Sequence, residues 1–231
     1  MKLKLVNKKS EAKNTVSYFF EKPEDFQFEA GQYVYITLPK LNYPDERGET
    51  RHFTIASSPK ETCIQFTTRL RDQSGYKKTL DELPIGSEVE ARGPQGLLTL
   101  SKHSKLITNH IFLAGGIGIT PFRSIIKNVL ENNLGLNIHL IYSNSDNDFI
   151  FKDELTKWQE ENKNLKIDFI DTSISGHIDT QMLHKLIPIY DLETTMFYAV
   201  GPNPFVNAME EMLEGMKIPE DSIKTEKFTG Y

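Results

Sequence analysis

Three glycines stand at positions 115, 116 and 118, between an apolar run and a stretch with helical periodicity, in HIFLAGGIGITPFRSIIKNVLEN (residues 110–132). Glycine at such a spacing usually serves a phosphate. Without a Cβ the backbone lets an anion approach its N–H groups, and a helix that starts there adds the positive end of its dipole. Ile111, Phe112, Leu113 and Ala114 read as a strand buried on both faces. Thr120 is expected as the N-cap and Pro121 as the first helical residue, followed by an apolar stripe of Phe122, Ile125, Ile126, Val129 and Leu130. The run is not the full dinucleotide fingerprint, because Pro121 stands where a third glycine or an alanine belongs, and it lacks the Gly-Lys-Ser/Thr end of a P-loop. Taken alone, it also fits a tight strand-to-helix turn with no ligand.

A second candidate is RHFTIASSP (residues 51–59), which places Arg51, Phe53 and Thr54 on an alternating strand. A guanidinium can fork onto a phosphate, an aromatic ring can line a flat ligand, and a hydroxyl or backbone N–H can reach a ring nitrogen. In isolation the segment also fits an ordinary barrel strand.

The elements that must position these groups change character near residue 105. Before it, LKLVNKK, NTVSYFFEK, QYVYITL, RHFTIASS, CIQFTTRL and SEVEARGP are β-branched or aromatic and mostly alternating, with polar, proline-bearing or glycine-bearing loops between them. Six such strands predict a small antiparallel barrel. After it, strands expected at 110–114, 138–142, 165–170, 196–200 and 223–228 alternate with helices expected at about 121–132, 151–162, 179–187 and 203–216. That rhythm predicts a doubly wound α/β domain with a five-stranded parallel sheet and helices on both faces. Ligands of such sheets bind outside the carboxyl ends of the strands, where AGGIGITP and VGPNPF both fall.

At 231 residues the chain is long enough for two domains, each with its own core. The boundaries expected are 1–104 and 105–231. A net charge of −5 argues against nucleic acid or an anionic membrane as partner. The first hundred residues carry 15 Lys+Arg against 14 Asp+Glu, and the rest 12 against 18, so the acidity lies in the second half. The single cysteine, Cys63, excludes a disulfide within the chain and any all-thiolate cluster; it reads as a buried strand thiol. The six histidines show no metal-ligand spacing, so no metal is expected. No signal-like segment opens the chain and no run approaches the roughly 18 apolar residues of a membrane span, so a cytoplasmic protein is expected.

The barrel strand with RHFTIASSP, then GPQG, then AGGIGITPF, then YAVGPNPFV, in that order and at those intervals, resembles the ferredoxin–NADP⁺ reductase superfamily of flavin-dependent reductases, over essentially the whole chain. The resemblance implies an FAD-binding barrel and an NAD-binding domain. Arg51 would pair with the FAD pyrophosphate, Phe53 would lie against the flavin, and Thr54 would sit near N5. His52, Thr67 and Arg69 join the expected flavin set, although His52 reads as an outward strand residue. In RDQSGYKKTLDEL, a glycine-bearing turn before a short helix, Ser74, Gly75, Tyr76 and Lys77 are the implied diphosphate donors, with Leu80 and Leu83 anchoring the helix. Lys77 stands where relatives often have serine. The implied nucleotide residues are Gly116, Gly118 and Thr120 near the pyrophosphate, and Gly201, Pro202 and Asn203 beside the nicotinamide, with Val200 where many relatives have cysteine.

NADP-specific relatives place arginine or other donors after the second parallel strand. Here YSNSDNDFIFKDEL puts Asn144 near that position, and Asp146 and Asp148 would repel a 2′-phosphate. NADH is therefore favoured over NADPH. At the C-terminus, TEKFTGY resembles the terminal strand whose aromatic ring covers the flavin. Phe228 would stack on the isoalloxazine, Tyr231 would lie against the flavin or its adenine, with those roles open to exchange, and Glu226 would join a proton network near N5. The implied activity is hydride transfer from NADH (or NADPH) to flavin N5 at the domain junction, with Thr54, Glu226 and Phe228 nearest the chemistry. Electrons would then leave singly to a separate acceptor, such as a ferredoxin-like or other redox protein. The alternatives are a stand-alone flavin reductase that releases reduced free flavin, or an electron-transfer subunit active only in a complex. The missing C-terminal cysteine cluster weighs against the last.

Overall fold

The computed structural model describes residues 1–100, 107–187 and 191–228. By internal contacts the chain divides into two units, Met1–Leu100 with Arg123–Asn128, and Ser101–Phe122 with Val129–Tyr231. The expected boundary at 104/105 lies outside the described residues.

The first unit holds six antiparallel strands: β1 (Lys2–Ala12), β2 (Thr15–Glu21), β3 (Tyr33–Thr37), β4 (Thr50–Thr54), β5 (Cys63–Arg69) and β6 (Glu88–Gln95). Their order is β4-β3-β6-β1-β2-β5, and an antiparallel bridge between Ile55 and Phe66 joins the two ends. The period-2 pattern explains the interior. Leu3 and Leu5, Tyr18 and Phe20, Val34 and Ile36, Ile64 and Phe66, and Val89 and Ala91 all turn to one face and form a single buried cluster. Helix α1 (Gly75–Glu82) crosses from β5 to β6; Leu80 is buried in that cluster and Leu83 packs on it, as the sequence pattern predicts. Residues Arg123–Asn128 count with this unit because Arg123 Nη1 donates to Ala56 O (2.8 Å), both its terminal nitrogens reach Glu61, and Ser124 Oγ donates to Ser57 O (2.6 Å).

The second unit holds a parallel sheet of β7 (Asn109–Gly115), β8 (Asn137–Asn144), β9 (Leu165–Asp171), β10 (Thr195–Pro202) and β11 (Ile223–Phe228), in the order β11-β10-β7-β8-β9. The helices are α2 (Ile119–Glu131), α3 (Lys152–Glu161), α4 (Thr172–Ser175), α5 (Thr180–Leu186) and α6 (Asn203–Gly215). The short α4 and two 3₁₀ turns, Gly116–Gly118 and Glu220–Ser222, have no counterpart in the apolar periodicity. β7 is buried on both faces, as a central parallel strand must be. Ile111 and Leu113 join Val206, Met209 and Leu213 of α6 on one side. On the other, Phe112 stacks on Phe122 (centroids 4.6 Å apart, 11° between planes) and meets Tyr198 edge-on at 5.1 Å. The chain runs outward through β8 and β9 and then returns to β10 on the far side of β7, so the topological switch lies between β7 and β10. Among the described residues no helix is long and apolar enough to cross a membrane.

Phe122 is fully buried at the centre of that aromatic group. Phe122→Ala is expected to lower unfolding free energy by about 3–5 kcal/mol, the range for deleting a buried ring. Urea unfolding of the full chain checks this, and a loss below about 1 kcal/mol would contradict the packing described.

Candidate functional site

β4 delivers Arg51 inward beside the start of α1. Its side chain is buried, and its guanidinium faces the Tyr76 ring at 5.1 Å. Nη1 donates to the carbonyls of Arg47 (2.8 Å), Gly48 (3.0 Å) and Thr50 (2.7 Å), and Nη2 pairs with Asp45. Helix α1 begins at a Ser74 cap, whose Oγ accepts from Lys77 N–H (3.2 Å). Lys77 turns its Nζ back to Arg69 O (3.0 Å), and Arg69 Nε is buried with no hydrogen-bond partner. Burial first, and then the charges of Arg71, Arg47, Arg51 and Arg69, push the Lys77 ammonium down to about 8. A concentration of cations at a helix start, with an orphaned buried N–H, is the donor set that a diphosphate requires.

The other expected flavin residues occupy varied surroundings. Phe53 packs against Phe66 and Tyr76, at centroid distances of 6.1 and 6.0 Å, and is 8 % exposed. Thr54 closes β4, buried, paired in register with Tyr33. Thr67 bonds Ser17 across the β2–β5 ladder (2.7 Å). His52 lies next to the rings of Tyr33 and Tyr35, at 5.5 and 6.0 Å, and burial, with Arg47 and Arg51 nearby, pushes its imidazole below the usual range.

In the second unit the glycine segment ends β7 at the switch point. Gly116 has φ +53°, a left-handed conformation suited to glycine, and a Cβ there would find only Asn144 Oδ1 within 4 Å, at 3.9 Å. Gly118 serves a different end: a Cβ would lie 2.2 Å from Val200 O, so this glycine lets the turn pack on β10. Thr120 is not the N-cap. Residues Gly116–Gly118 coil into a 3₁₀ turn that runs directly into α2 at Ile119, so the Thr120 hydroxyl lies inside the helical run and donates to Ile117 O (3.0 Å). Gly201 and Pro202 end β10, and Asn203 starts α6. β11 runs parallel beside them with Val200 opposite Glu226 and Pro202 opposite Phe228. Burial pushes the Glu226 carboxyl up to about 7. Asn144, buried at the end of β8, is held by its own loop: Nδ2 donates to Asp146 O (3.2 Å), Asp146 Oδ1 (2.8 Å) and Asp148 O (3.2 Å). Tyr231 lies outside the described residues.

Residues 2–100 match the oxidoreductase FAD-binding domain and residues 112–211 the oxidoreductase NAD-binding domain. The chain joins an oxidoreductase FAD-binding domain to an oxidoreductase NAD-binding domain, in the two-domain fold of the ferredoxin–NADP⁺ reductases. It is 25% identical over 241 residues to flavohemoprotein A of Dictyostelium discoideum, covering 97% of this chain and 59% of that one. To the NADH-cytochrome b5 reductase 1 of Aspergillus terreus it is 27% identical over 202 residues, covering 80% and 66%. The chain thus spans less than two thirds of the length of these curated relatives. In fold it is similar to a ferredoxin NADP⁺ reductase from Neisseria gonorrhoeae solved with FAD and NADP, with a TM-score of 0.80 and 19% identity over 98% of each chain. Its two matched domains are the FAD-binding and NAD-binding parts of a flavoprotein oxidoreductase.

Sequence reasoning passed over Asp45, Arg47 and Arg71. The run DERGETR carries the signal, since an acidic residue six positions before the flavin-strand arginine is an obvious ion-pair partner. The Lys77 environment yields a pH prediction. Below about 8 the ammonium is protonated and attracts an anion; above it the charge is lost. FAD affinity is expected to fall as pH rises from 7 to 9, and Lys77→Gln to flatten the profile. Fluorescence titration across that range tests it, and an unchanged slope in the variant would remove Lys77 from the site.

Proposed function

We propose that this chain oxidises NADH on its second unit and returns the electrons singly, through FAD held by its first unit, to a separate redox protein. Residues 1–104 serve the flavin and 105–231 the nucleotide. Arg51, Arg69, Ser74, Gly75, Tyr76 and Lys77 hold the diphosphate of FAD, with Phe53 and Thr54 on the same strand facing the ring end. Gly116, Gly118, Thr120, Gly201, Pro202 and Asn203 hold the nicotinamide nucleotide at the switch point. Bound flavin supplies the conversion of one hydride into two single electrons. The protein supplies orientation, and Glu226, near 7, is the one carboxyl of this set able to hold or release a proton at neutral pH. The names of the relatives, a flavohemoprotein and a cytochrome b5 reductase, support a haem protein as acceptor.

The observation that carries the nucleotide choice is the loop after β8. Asp146 and Asp148 are exposed there, Asn144 is tied to them, and Lys152 is turned away to Asn147 Oδ1 (2.7 Å). A like-charge pair about 4 Å apart costs about 1 kcal/mol in water and more near a protein surface. Two carboxylates against a 2′-phosphate reach the roughly 1.4 kcal/mol of a tenfold preference. Stopped-flow reduction of the flavin is expected to show kcat/KM about tenfold or more higher for NADH than for NADPH. A preference for NADPH would overturn this reading of the loop.

A further inference from the structure

Asp45 lies in the loop between β3 and β4, outside every segment to which the superfamily resemblance gives a role. Its side chain is 7% exposed. Oδ1 accepts from Arg51 Nη2 and from the Arg47 N–H (3.1 Å); Oδ2 accepts from Ser74 Oγ (3.1 Å) and the Tyr76 N–H (2.9 Å). Arg51, Ser74 and Tyr76 are three of the groups that the proposed function assigns to the FAD diphosphate. One anion position therefore has two claimants. We infer that Asp45 is a resident anion seated in the diphosphate position of the flavin site, and that FAD must displace it to bind.

The loop around Asp45 is built as a latch. Its first end is stapled to α1: Asn42 N–H donates to Thr79 Oγ1 (3.0 Å), and Asn42 Nδ2 to Glu82 (3.0 Å). Beyond that, the carbonyls of Tyr43 and Pro44 lie directly over Gly75, where a Cβ would be 2.6 and 2.3 Å from them, so the loop covers the start of the helix. Its far end is Gly48, with φ +70° and nothing within 4 Å of a built Cβ, where the chain can turn once the Gly48 carbonyl leaves Arg51 (3.0 Å). Between these ends, residues 44–47 are held to Arg51 by the Asp45 pair and the Arg47 carbonyl.

Electrostatics decides which anion wins. Asp45 is ionised, because hydrogen bonds from Tyr76 and Arg47, the Arg51 charge and the Ser74 hydroxyl outweigh its burial and hold the carboxyl below the usual range. A carboxylate brings one negative charge, and a diphosphate brings about two with more acceptor oxygens. Four arginines act on Lys77 together, so the cluster still favours the more highly charged ligand when one carboxylate is present. The latch thus satisfies buried donors that would otherwise be stranded without cofactor. It also makes FAD affinity a difference between two anions, which allows the site to release its flavin.

This inference rests on the assignment of the flavin site above, and the test separates the two. Full-length wild type, Asp45→Asn and Arg51→Ala are stripped of flavin and titrated with FAD. Asp45→Asn is expected to lower Kd about tenfold or more and to give an association rate linear in FAD, where wild type saturates at the rate of loop opening. An unchanged or higher Kd in Asp45→Asn overturns the latch. If Arg51→Ala then loses FAD, the site stands and the latch alone fails; if Arg51→Ala binds as wild type does, the site assignment fails. A second measurement needs no variant: FAD should speed tryptic cleavage after Arg47 in the wild-type chain, and unchanged or slower cleavage also overturns the inference.

Discussion

The architecture of the first unit answers one electrostatic demand, that several cations and a helix start be held together although they repel. Arg51, Arg69 and Lys77 come from a strand, the end of another strand and a helix, and burial, together with the nearby arginine charges, depresses the Lys77 ammonium to about 8. An anion placed among these cations lowers their mutual repulsion. The barrel makes the gathering possible by fixing β4, β5 and α1 on one buried cluster, with Tyr76 anchored both by its ring beside Phe53 and by its hydroxyl on Ile36 O (2.9 Å). Asp45 supplies one such anion, on Arg51, Ser74 Oγ and the Tyr76 N–H, and the diphosphate of FAD is the one we propose for the same groups.

The second unit solves a different problem with neutral groups. Its central strand must be apolar on both faces, so the polar contacts with a nucleotide fall beyond the carboxyl ends, where β7 and β10 part at the switch point. The glycines there divide the work. Gly116 leaves space above the turn, and Gly118 lets the turn press on the carbonyl of Val200. Glu226 and Phe228 arrive on the neighbouring strand through parallel pairing with β10, so the register of β11 sets where a proton-holding carboxyl and a terminal ring stand relative to Gly201 and Pro202.

Both layers of the fold were legible in the sequence, because alternation in the barrel strands and a 3.6-residue stripe in α2 each reflect which face is buried. All six barrel strands and all five parallel strands lie where period and turn residues put them. Arg51 was visible for the same reason: its place in an alternating strand marks it as inward and charged. What was not legible depends on contacts distant in sequence. Thr120 looked like an N-cap until the preceding glycines coiled into a 3₁₀ turn and drew it inside the helical run. Thr67 bonds Ser17, fifty positions away, a contact that no local pattern displays. Asp45 sits in a polar loop with no periodicity, and its meaning comes from Ser74 and Tyr76, about thirty residues on. Lys77 was named with the diphosphate donors, but its burial and the arginine charges that act on it come from residues that the short motif does not contain.

We propose that the diphosphate, more than the isoalloxazine ring, anchors the flavin to the cation cluster. Calorimetric titration of flavin-free protein with FAD and with riboflavin, which shares the ring but has no phosphate, tests it most directly. FAD is expected to bind about a hundredfold or more tightly than riboflavin, and raising salt to erode its affinity while leaving that of riboflavin nearly unchanged. Equal affinities, insensitive to salt, would contradict it.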